Sequence, residues 1–379
     1  MQQAEQVALA ERLLDYIDTR STARADAVYR QPVDEYTSRT TAAQEQATLF
    51  RARAQCVGLS GLLPGPGSYA THDIGAQPLL LTRTASGEFR AFLNVCRHRG
   101  ARVAEGCGRQ RSFVCPYHAW AYGTDGRLLA RPEDDAFVEV PRATHGLTAL
   151  PCVERDGLLW VHPDPCAELE RETLPGGLGD ELAAYALAGF HHYGSRVLRR
   201  RMNWKLLLDT FLESYHFCVL HKDSICGIFH DNLTTFDSWG PHFRLVSARR
   251  TIDSLRDADR TTLNLLPHMV AIYVLFPNTV LVWQLDHIEL WQIHPGATPD
   301  ESLVELSLYT PEPALTASAR RHWDNNLELV VHVVEAEDFP VGEGIQQGFH
   351  SSAQSHIVFG TNEPALSFFH RTLSAALAG

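Results

Sequence analysis

Two short cysteine–histidine pairs constrain this sequence more than any other feature. Cys96 and His98 form the first pair, Cys115 and His118 form the second, and 16 residues separate His98 from Cys115. Glycines in the intervening segment mark turns, so each pair is expected at the tip of a hairpin. Two tips that each offer one thiolate and one imidazole can bind either a single metal ion or a binuclear cluster. The fold must therefore bring the two tips together.

The donor set of these pairs matches one kind of iron–sulfur cluster. A [2Fe–2S] cluster with two cysteines on one iron and two histidines on the other is the Rieske arrangement, and its imidazoles raise the reduction potential. The alternative is a structural zinc site with two cysteines and two histidines. Zinc sites normally pair like ligands, as C-x₂₋₄-C and H-x₃₋₅-H. The C-x-H and C-x-x-H spacing here favours the Rieske cluster.

A second group of metal-binding side chains lies near the middle of the chain. The segment Asn203–Leu220 has apolar residues at helical spacing and neither proline nor glycine, which predicts a helix. Glu213 and His216 lie within it, and His221 follows it. Two imidazoles and one carboxylate form the facial triad of non-haem Fe(II) enzymes. Because His216 and His221 are five residues apart, they share one side only if the helix loosens or ends near His221. Ordinary core or surface histidines would also explain the spacing.

Composition excludes several other classes of protein. The formal net charge of −12 over 379 residues disfavours nucleic acid as a partner, since phosphate binding needs a surplus of basic residues. No apolar stretch approaches the roughly 20 residues of a membrane span, and the N-terminus reads as an amphipathic helix rather than a secretory signal. We therefore expect no membrane association and a cytoplasmic location. The eight cysteines are too sparse for a disulfide scaffold, so ligand or core roles are expected.

The order of apolar runs predicts an α+β fold. Short runs with turn residues between them, from Cys56 to about Pro165, indicate a small antiparallel β domain. Three longer β-rich runs between 268 and 310 indicate a second antiparallel sheet. Helical patterns precede and follow that sheet. The sequence thus predicts a small β domain joined to a larger domain whose antiparallel sheet is covered by helices.

Both metal-binding segments resemble the same family. The letters NVCRHRGA and CPYHAWAYGTDGRL resemble the Rieske domain of ring-hydroxylating oxygenase large subunits, and NWKLLLDTFLESYHFCVLH is similar to the iron-binding helix of those subunits. The chain is identified on these motifs as a member of the Rieske non-haem iron oxygenases, as a large (alpha, catalytic) subunit. The resemblance implies an N-terminal helical segment (1–44) packing on the catalytic domain, a Rieske domain (45–165) and a catalytic mononuclear iron domain (166–379).

The resemblance also implies a set of ligands. The cluster would be bound by Cys96, His98, Cys115 and His118, and the mononuclear Fe(II) by His216, His221 and a carboxylate. The segment Glu337–Gln346 resembles the family pattern E-D-x₄-E-x-x-Q, which supplies an aspartate and points to Asp338. Glu335 and Glu337 are the rival ligands.

Electron transfer in the family implies a trimer, in which the cluster of one subunit lies beside the iron of the next. A carboxylate three residues before the first iron histidine bridges histidines of the two sites. That residue is Glu213 here, where many relatives have aspartate, and the longer side chain occurs in some quaternary-amine oxygenases of the family. The plain alternative for Glu213 is a surface charge on a helix.

The electrons must come from another protein. No glycine-rich dinucleotide fingerprint follows a predicted strand, so NAD(P)H is expected to act only through a separate reductase, with or without a ferredoxin. We expect a basic rim near the cluster to dock an acidic ferredoxin or flavin domain. The alternative is that its arginines pair with local carboxylates or with a neighbouring subunit. The rim consists of Arg97, Arg99, Arg102, Arg109 and Arg111.

The expected function is that of a terminal oxygenase with O₂ as co-substrate. It would hydroxylate, dihydroxylate or demethylate a small organic substrate, with an aromatic compound or a carboxylate favoured. A quaternary-ammonium (carnitine- or betaine-like) monooxygenase is the alternative within the family. A Rieske electron carrier without oxygenase activity and a zinc-stabilised binding protein are the alternatives from other classes. The expected substrate pocket consists of Phe217, Leu220, Ile225, Phe229, Tyr273, Trp283 and Trp291.

Overall fold

The computed structural model describes residues 1–75, 77–169 and 176–379. The chain divides into two compact units. The larger one consists of Met1–Leu49, Pro175–Tyr185 and His192–Gly379, and the smaller one of Phe50–Leu174 and Ala186–His191. The N-terminal segment therefore belongs to the same unit as the C-terminal half. Helix and strand bounds within the described ranges follow in chain order.

The α-helices are α1 (Gln3–Thr19), α2 (Asp34–Thr37), α3 (Arg39–Glu45), α4 (Gly176–Ala183), α5 (Trp204–Asp209), α6 (Phe217–Leu220), α7 (Ala317–Val333), α8 (Phe339–Phe349) and α9 (Pro364–Ala378). The strands are β1 (Tyr29–Pro32), β2 (Gln55–Leu59), β3 (Ser68–Ile74), β4 (Gln77–Arg83), β5 (Phe89–Leu93), β6 (Cys107–Arg109), β7 (Ser112–Val114), β8 (Ala121–Gly123), β9 (Leu128–Ala130), β10 (Ala149–Leu150), β11 (Cys152–Arg155), β12 (Leu158–Val161), β13 (His191–Arg200), β14 (Phe229–Trp239), β15 (His242–Arg249), β16 (Met269–Leu275), β17 (Thr279–Gln284), β18 (His287–Pro295), β19 (Ser302–Thr310) and β20 (His356–Phe359).

The smaller unit is built from short antiparallel strands. Its sheets have the orders β10-β5-β4-β3-β6, β11-β12-β2 and β7-β8-β9. The apolar run Leu79–Leu81 in the centre of β4 is fully buried. One of the unit's apolar clusters contains Cys96 and Cys115 together with Trp120 and Tyr122. The two ligand-bearing segments are thus fixed to the core of this unit.

The larger unit is organised around a seven-stranded sheet. Its order is β13-β19-β18-β17-β16-β15-β14, and the pairs from β14 to β19 are antiparallel. Alternation along the strands places Ile272, Val282 and Glu289, which are paired in register, on one face. Tyr273 and Trp283 lie one residue out of phase and point to the other face. The predicted α+β class, with helices on antiparallel sheets, is confirmed.

The segment between Asn203 and Leu220 was expected to be one helix, and that expectation is wrong. Helix α5 ends at Asp209, and the short α6 begins at Phe217. The Thr210 hydroxyl bonds to the Leu207 carbonyl at 2.8 Å, and the Glu213 carboxylate accepts the backbone N–H groups of Tyr215 and His216. Such side-chain bonds compete with the helical backbone ladder. The interruption turns His216 away from the axis of α5.

Helices α7 and α8 are joined without a loop. A π-helical turn, Val334–Asp338, connects them and carries three acidic residues. Turns of this kind are frequent at functional sites because they re-aim side chains. None of the helices within the described ranges is long and apolar enough to cross a membrane.

Candidate metal centres

The two cysteine–histidine segments form loops of the same backbone conformation. The N–H of Cys96 bonds to the carbonyl of Ala101 at 2.8 Å, and the N–H of Gly100 bonds to the carbonyl of Cys96 at 2.9 Å. In the second loop Cys115 and Trp120, and Ala119 and Cys115, make the equivalent bonds at 2.8 and 3.0 Å. Gly100 and Ala119, at matching positions, are both left-handed, with φ of 82° and 57°. The two loops therefore hold their cysteines at matching positions, while His98 lies two residues after its cysteine and His118 lies three after its own.

The donor atoms of these loops fit a Rieske cluster. Cys96 and Cys115 are buried free thiols, and the rings of His98 and His118 have centroids 4.5 Å apart. The Nδ1 atoms of both histidines are buried, and neither has a hydrogen-bond partner within the described part of the chain. Burial of unpaired ring nitrogens is costly unless they bind something. Two thiolates and two unpaired imidazole nitrogens are the donors that the cluster needs.

Aromatic side chains hold the cluster loops in place. The Tyr122 hydroxyl lies 3.3 Å from Cys96 Sγ and accepts the N–H of Arg97 at 3.0 Å. Burial, followed by the Cys96 contact, raises the pKa of Tyr122, so the hydroxyl stays protonated and donates to the sulfur. The ring of His98 stacks on Trp120 at 5.0 Å. Hydrogen bonds to cluster sulfurs tune its reduction potential.

The second centre brings together the three predicted ligands. One ligand atom from each of His216, His221 and Asp338 lies within 4.8 Å of the others. Asp338 Oδ1 is 3.6 Å from Nε2 of His216 and 3.2 Å from Nε2 of His221. Both histidines come from α6 and its ends, and Asp338 comes from the π-helical turn. Two imidazoles and one carboxylate on one side of a site make the facial donor set expected for Fe(II).

Two further carboxylates fix the histidine rings. Glu213 Oε1 contacts Nδ1 of His216, and Glu337 Oε2 contacts Nδ1 of His221. The Ser224 hydroxyl donates to Glu337 Oε2 at 2.7 Å and orients that carboxylate. Each ring thus has its Nδ1 occupied and its Nε2 directed at Asp338, which is how metal-binding histidines are usually held. The bond from Glu337 to His221 could not be read from the sequence.

The carboxylates of this centre favour a bound cation. His221 is 2% exposed and Asp338 is 7% exposed. Burial alone would lower the pKa of His221, but its bonds to Asp338 and Glu337 raise it above the usual value. Several carboxylates around two imidazoles are balanced when a divalent ion replaces the proton. The residues present therefore fit a mononuclear metal ion.

The neighbouring acidic residues serve other contacts. Glu335, one rival for the third ligand, pairs with Arg200. Glu337, the other rival, reaches the far side of the His221 ring instead of the ligand group. The expectation that the cysteines would be ligands or core residues is also incomplete, because Cys218 and Cys226 form a disulfide around the loop that carries His221.

A cavity of about 350 Å³ adjoins this centre, and we call it the site cavity. Of the expected pocket residues, Phe217, Ile225, Phe229 and Trp291 line it. Leu220, Tyr273 and Trp283 do not, and for these three the expectation is wrong. Tyr273 and Trp283 are out of phase with the strand residues that face the cavity, and they pack with Tyr185 on the other face of the sheet.

Polar side chains that the sequence reasoning missed also line the site cavity. They include Arg249, Gln284, His287 and Glu289. Glu289 accepts a hydrogen bond from Trp291 Nε1 at 3.0 Å and lies 3.8 Å from His287 Nε2. Burial would lower the pKa of His287, but its contacts with Glu289 and Asp286 together raise it above the usual value. The alternation that places Val282 in the cavity could have placed Gln284 there, whereas Arg249 stands at a strand end with no such signal.

Comparisons with known proteins agree with this geometry. The ring hydroxylating alpha subunit (catalytic domain) model matches residues 187–379, and the Rieske [2Fe-2S] domain model matches residues 53–151. The glycine betaine monooxygenase oxygenase subunit of Chromohalobacter salexigens is 30% identical over 55% of this chain and 46% of its own length. The carnitine monooxygenase oxygenase subunit of Acinetobacter baumannii is 28% identical over 57% and 60%. The chain thus matches about half the length of these relatives.

Three further matches span most of the chain. The salicylate 5-hydroxylase large oxygenase component of a Ralstonia species is 27% identical over 84% of this chain and 85% of its own. A quaternary ammonium Rieske monooxygenase in complex with L-carnitine superposes with a TM-score of 0.79 at 20% identity, covering 93% of this chain and 97% of that one. Naphthalene 1,2-dioxygenase with indole gives 0.71 at 17%, covering 94% of each. These structures share its fold, and the two family models establish that the chain belongs to the ring-hydroxylating oxygenase alpha subunits, with a Rieske [2Fe-2S] domain and a catalytic mononuclear-iron domain.

Proposed function

We propose that the protein is the terminal oxygenase component of a multicomponent system and oxidises a small organic substrate with O₂. The observation that carries the proposal is the convergence of His216, His221 and Asp338, with both histidine rings held by carboxylates. That arrangement leaves one side of the donor set open towards an apolar cavity. Family membership supplies the matching electron-transfer domain.

Each group of residues has a distinct task in this proposal. Cys96, His98, Cys115 and His118 would hold the Rieske cluster, with Tyr122 donating to one sulfur. The triad would hold Fe(II), which supplies O₂ activation when bound and leaves positions open. Glu213 and Glu337 keep both rings in the tautomer that points Nε2 at the ion.

The site cavity selects and positions the substrate. Its apolar side chains, among them Phe217, Ile272 and Val282, exclude water from the centre and contact the body of the substrate. A volume of about 350 Å³ suits a single ring or a short branched molecule. The product would be a hydroxylated, dihydroxylated or demethylated compound.

Electrons would come from a reductase, directly or through a ferredoxin. The basic rim beside the cluster supports docking of an acidic partner. All five arginines are exposed, and Arg102 is the member paired with a carboxylate within the described ranges, at 3.0 Å from Asp73. Reversing Arg97 and Arg99 to glutamate should slow reduction by the partner and leave the spectrum unchanged; an unchanged rate would contradict the docking role.

The route from the cluster to the iron would run between subunits of a homotrimer through Glu213. A complementation experiment tests this route. One variant, His98→Ala, lacks the cluster, and another, His216→Ala, lacks the iron. Co-expressed variants should recover part of the activity if electrons cross between subunits, while a mixture that stays inactive although both chains co-assemble would contradict it.

Metal content tests the oxygenase proposal itself. Anaerobically purified protein should contain about three irons and two acid-labile sulfides per chain and show a Rieske-type signal in EPR after reduction. Two irons and two sulfides after Fe(II) reconstitution would favour a Rieske electron carrier. Zinc without sulfide would favour a zinc-stabilised binding protein.

A quaternary-ammonium monooxygenase is the second candidate. Glu289 lies in the site cavity beside Trp291, whose ring is 5.1 Å from that of Phe211. An acidic group with aromatic faces is the usual setting for a quaternary ammonium. Turnover of trimethylammonium compounds that is lost in Glu289→Gln, with turnover of aromatic acids absent, would favour this candidate.

A further inference from the structure

Arg249 brings an uncompensated positive charge into the site cavity. Its Nη2 donates to Gln284 Oε1 at 2.8 Å, its Nε donates to the Met269 carbonyl at 3.4 Å, and its guanidinium lies 4.9 Å from the centroid of the Phe229 ring. All three partners are neutral. No carboxylate within the described ranges lies at ion-pair distance, and burial, unopposed by any acid, lowers the pKa of Arg249.

The buried arginines within the described ranges are paired with carboxylates. The side chain of Arg244 is fully buried and contacts Glu5, Glu181 and Asp237. Arg83 likewise pairs with Glu154. Where an arginine is buried for structural reasons, the chain therefore supplies a carboxylate, as the cost of desolvating a charge requires. Arg249 is partly buried, lines the site cavity and has no such partner within the described ranges, so a ligand from outside the chain can supply its counter-charge.

Arg249 has unused hydrogen-bond donors in the lining of the site cavity. A guanidinium has five N–H groups, of which the contacts described use two. Gln284 accepts with Oε1 and keeps its amide nitrogen available as a donor. Gln284 pairs with Val270 and His287 across the sheet, and all of them line the same cavity as the metal triad. A planar anion could accept from Arg249 and Gln284 together.

We infer that Arg249 anchors the carboxylate of the substrate, so that the site cavity takes a small organic acid. The acid's oxygens would bind the guanidinium and the Gln284 amide, and its apolar body would lie over Ile272 and Val282 beside the triad. Glu289 does not compete for Arg249, because its oxygens face Trp291 and His287. This inference rests on the proposed oxygenase function and specifies its substrate class.

Matched acid and amide probes test the inference by equilibrium binding. The probes are benzoate, salicylate and glycine betaine with their carboxamides, titrated calorimetrically into the iron-loaded enzyme. At least one acid should bind about ten- to hundredfold more tightly than its amide, as expected for a charge-assisted hydrogen bond. Arg249→Gln should abolish that preference. Arg250→Gln is the control, because the Arg250 side chain is exposed, lies outside the cavity lining and within the described ranges bonds only the Cys226 carbonyl.

The outcomes separate this inference from the function on which it rests. Equal affinity for acids and amides, binding of none of the acids, or an unchanged preference in Arg249→Gln would overturn it. If Arg249→Gln does not fold, Arg249→Lys should keep part of the preference for acids over amides, since lysine keeps the positive charge but lacks the planar guanidinium group. Turnover of a neutral hydrocarbon at the same rate in the unmodified protein and in Arg249→Gln would overturn the inference but not the proposed oxygenase function. Absence of the mononuclear iron would overturn the oxygenase, while the acid preference could still be measured.

Discussion

Replacing Glu337 by glutamine should weaken the mononuclear metal site without removing a ligand. Glu337 contacts Nδ1 of His221, and Ser224 holds the same carboxylate oxygen at 2.7 Å. Loss of such a supporting carboxylate typically lowers metal affinity about 10- to 100-fold, or about 1.4 to 2.8 kcal/mol. We expect that range for Fe(II), since the ring of His221 is 3% exposed and has no solvent to replace the contact. The assay is competition with a chromophoric Fe(II) chelator under anaerobic conditions.

The adjacent acids provide the controls. Glu335→Gln changes a residue that pairs with Arg200, so its Fe(II) affinity should equal that of the unmodified protein. Asp338→Asn should abolish binding, because it replaces the charged carboxylate ligand by a neutral amide. The Rieske absorption of all three variants should be unchanged. If Glu337→Gln binds Fe(II) as tightly as Glu335→Gln, or if Asp338→Asn retains the ion while Glu337→Gln loses it, the assignment of these carboxylates is refuted.

Three further predictions concern the cluster loops and the core. Tyr122→Phe removes the hydroxyl that lies 3.3 Å from Cys96 Sγ. If the hydroxyl stabilises the reduced cluster by about 1 kcal/mol, its loss lowers the reduction potential by roughly 40 mV. A redox titration followed by EPR that gives an unchanged potential would contradict this role of Tyr122. Gly100→Ala should lower the free energy of unfolding by about 1 kcal/mol and Ala119→Gly should raise it by a similar amount, because both residues have left-handed backbone conformations. The cost at position 100 is one of conformation, since a Cβ there meets its nearest neighbour only at 4.0 Å. Urea unfolding midpoints equal to that of the unmodified protein would show that the strain is absent. Burial lowers the pKa of His242 to about 4, below its unfolded value of 6.5. The stability that neutral His242 allows is therefore complete above pH 6.5 and falls by about 3 kcal/mol as the pH drops towards 4. His242→Asn should remove this part of the pH dependence, which is measured as the difference in unfolding free energy between the variant and the unmodified protein at each pH.

Residue spacing was sufficient to predict most of the metal chemistry because the cluster ligands and the two iron histidines are local in sequence. The distant Asp338 was indicated by the family pattern instead. The cluster ligands occupy two loops with their own turn residues, and His216 and His221 occupy one short segment. The α+β class followed from apolar runs whose lengths suit strands. Helical periodicity could not reveal the break after Asp209, because that break is made by the side chains of Thr210 and Glu213 bonding to nearby backbone.

Contacts between distant segments account for what the sequence did not predict. The family pattern pointed to Asp338 as the ligand, but nothing in the sequence predicted that the π-helical turn places the neighbouring Glu337 against Nδ1 of His221. Tyr273 and Trp283 looked suitable for a pocket, but the register of β16 with β17 turns them to the opposite face. Arg249 carries no motif, and its isolation from acids is visible only when the sheet is assembled.

The carboxylate-held histidines have a consequence for how the enzyme acquires its metal. Because Glu213 and Glu337 hold both rings through Nδ1, the site offers the same two Nε2 donors to every divalent ion. Nitrogen and oxygen donors of this kind bind Zn²⁺ and Cu²⁺ more tightly than Fe²⁺. We therefore expect the supply of ions during synthesis to decide which metal the site receives. Overproduction in zinc-rich medium should yield a fully folded, coloured protein that carries an intact Rieske cluster and an idle second centre.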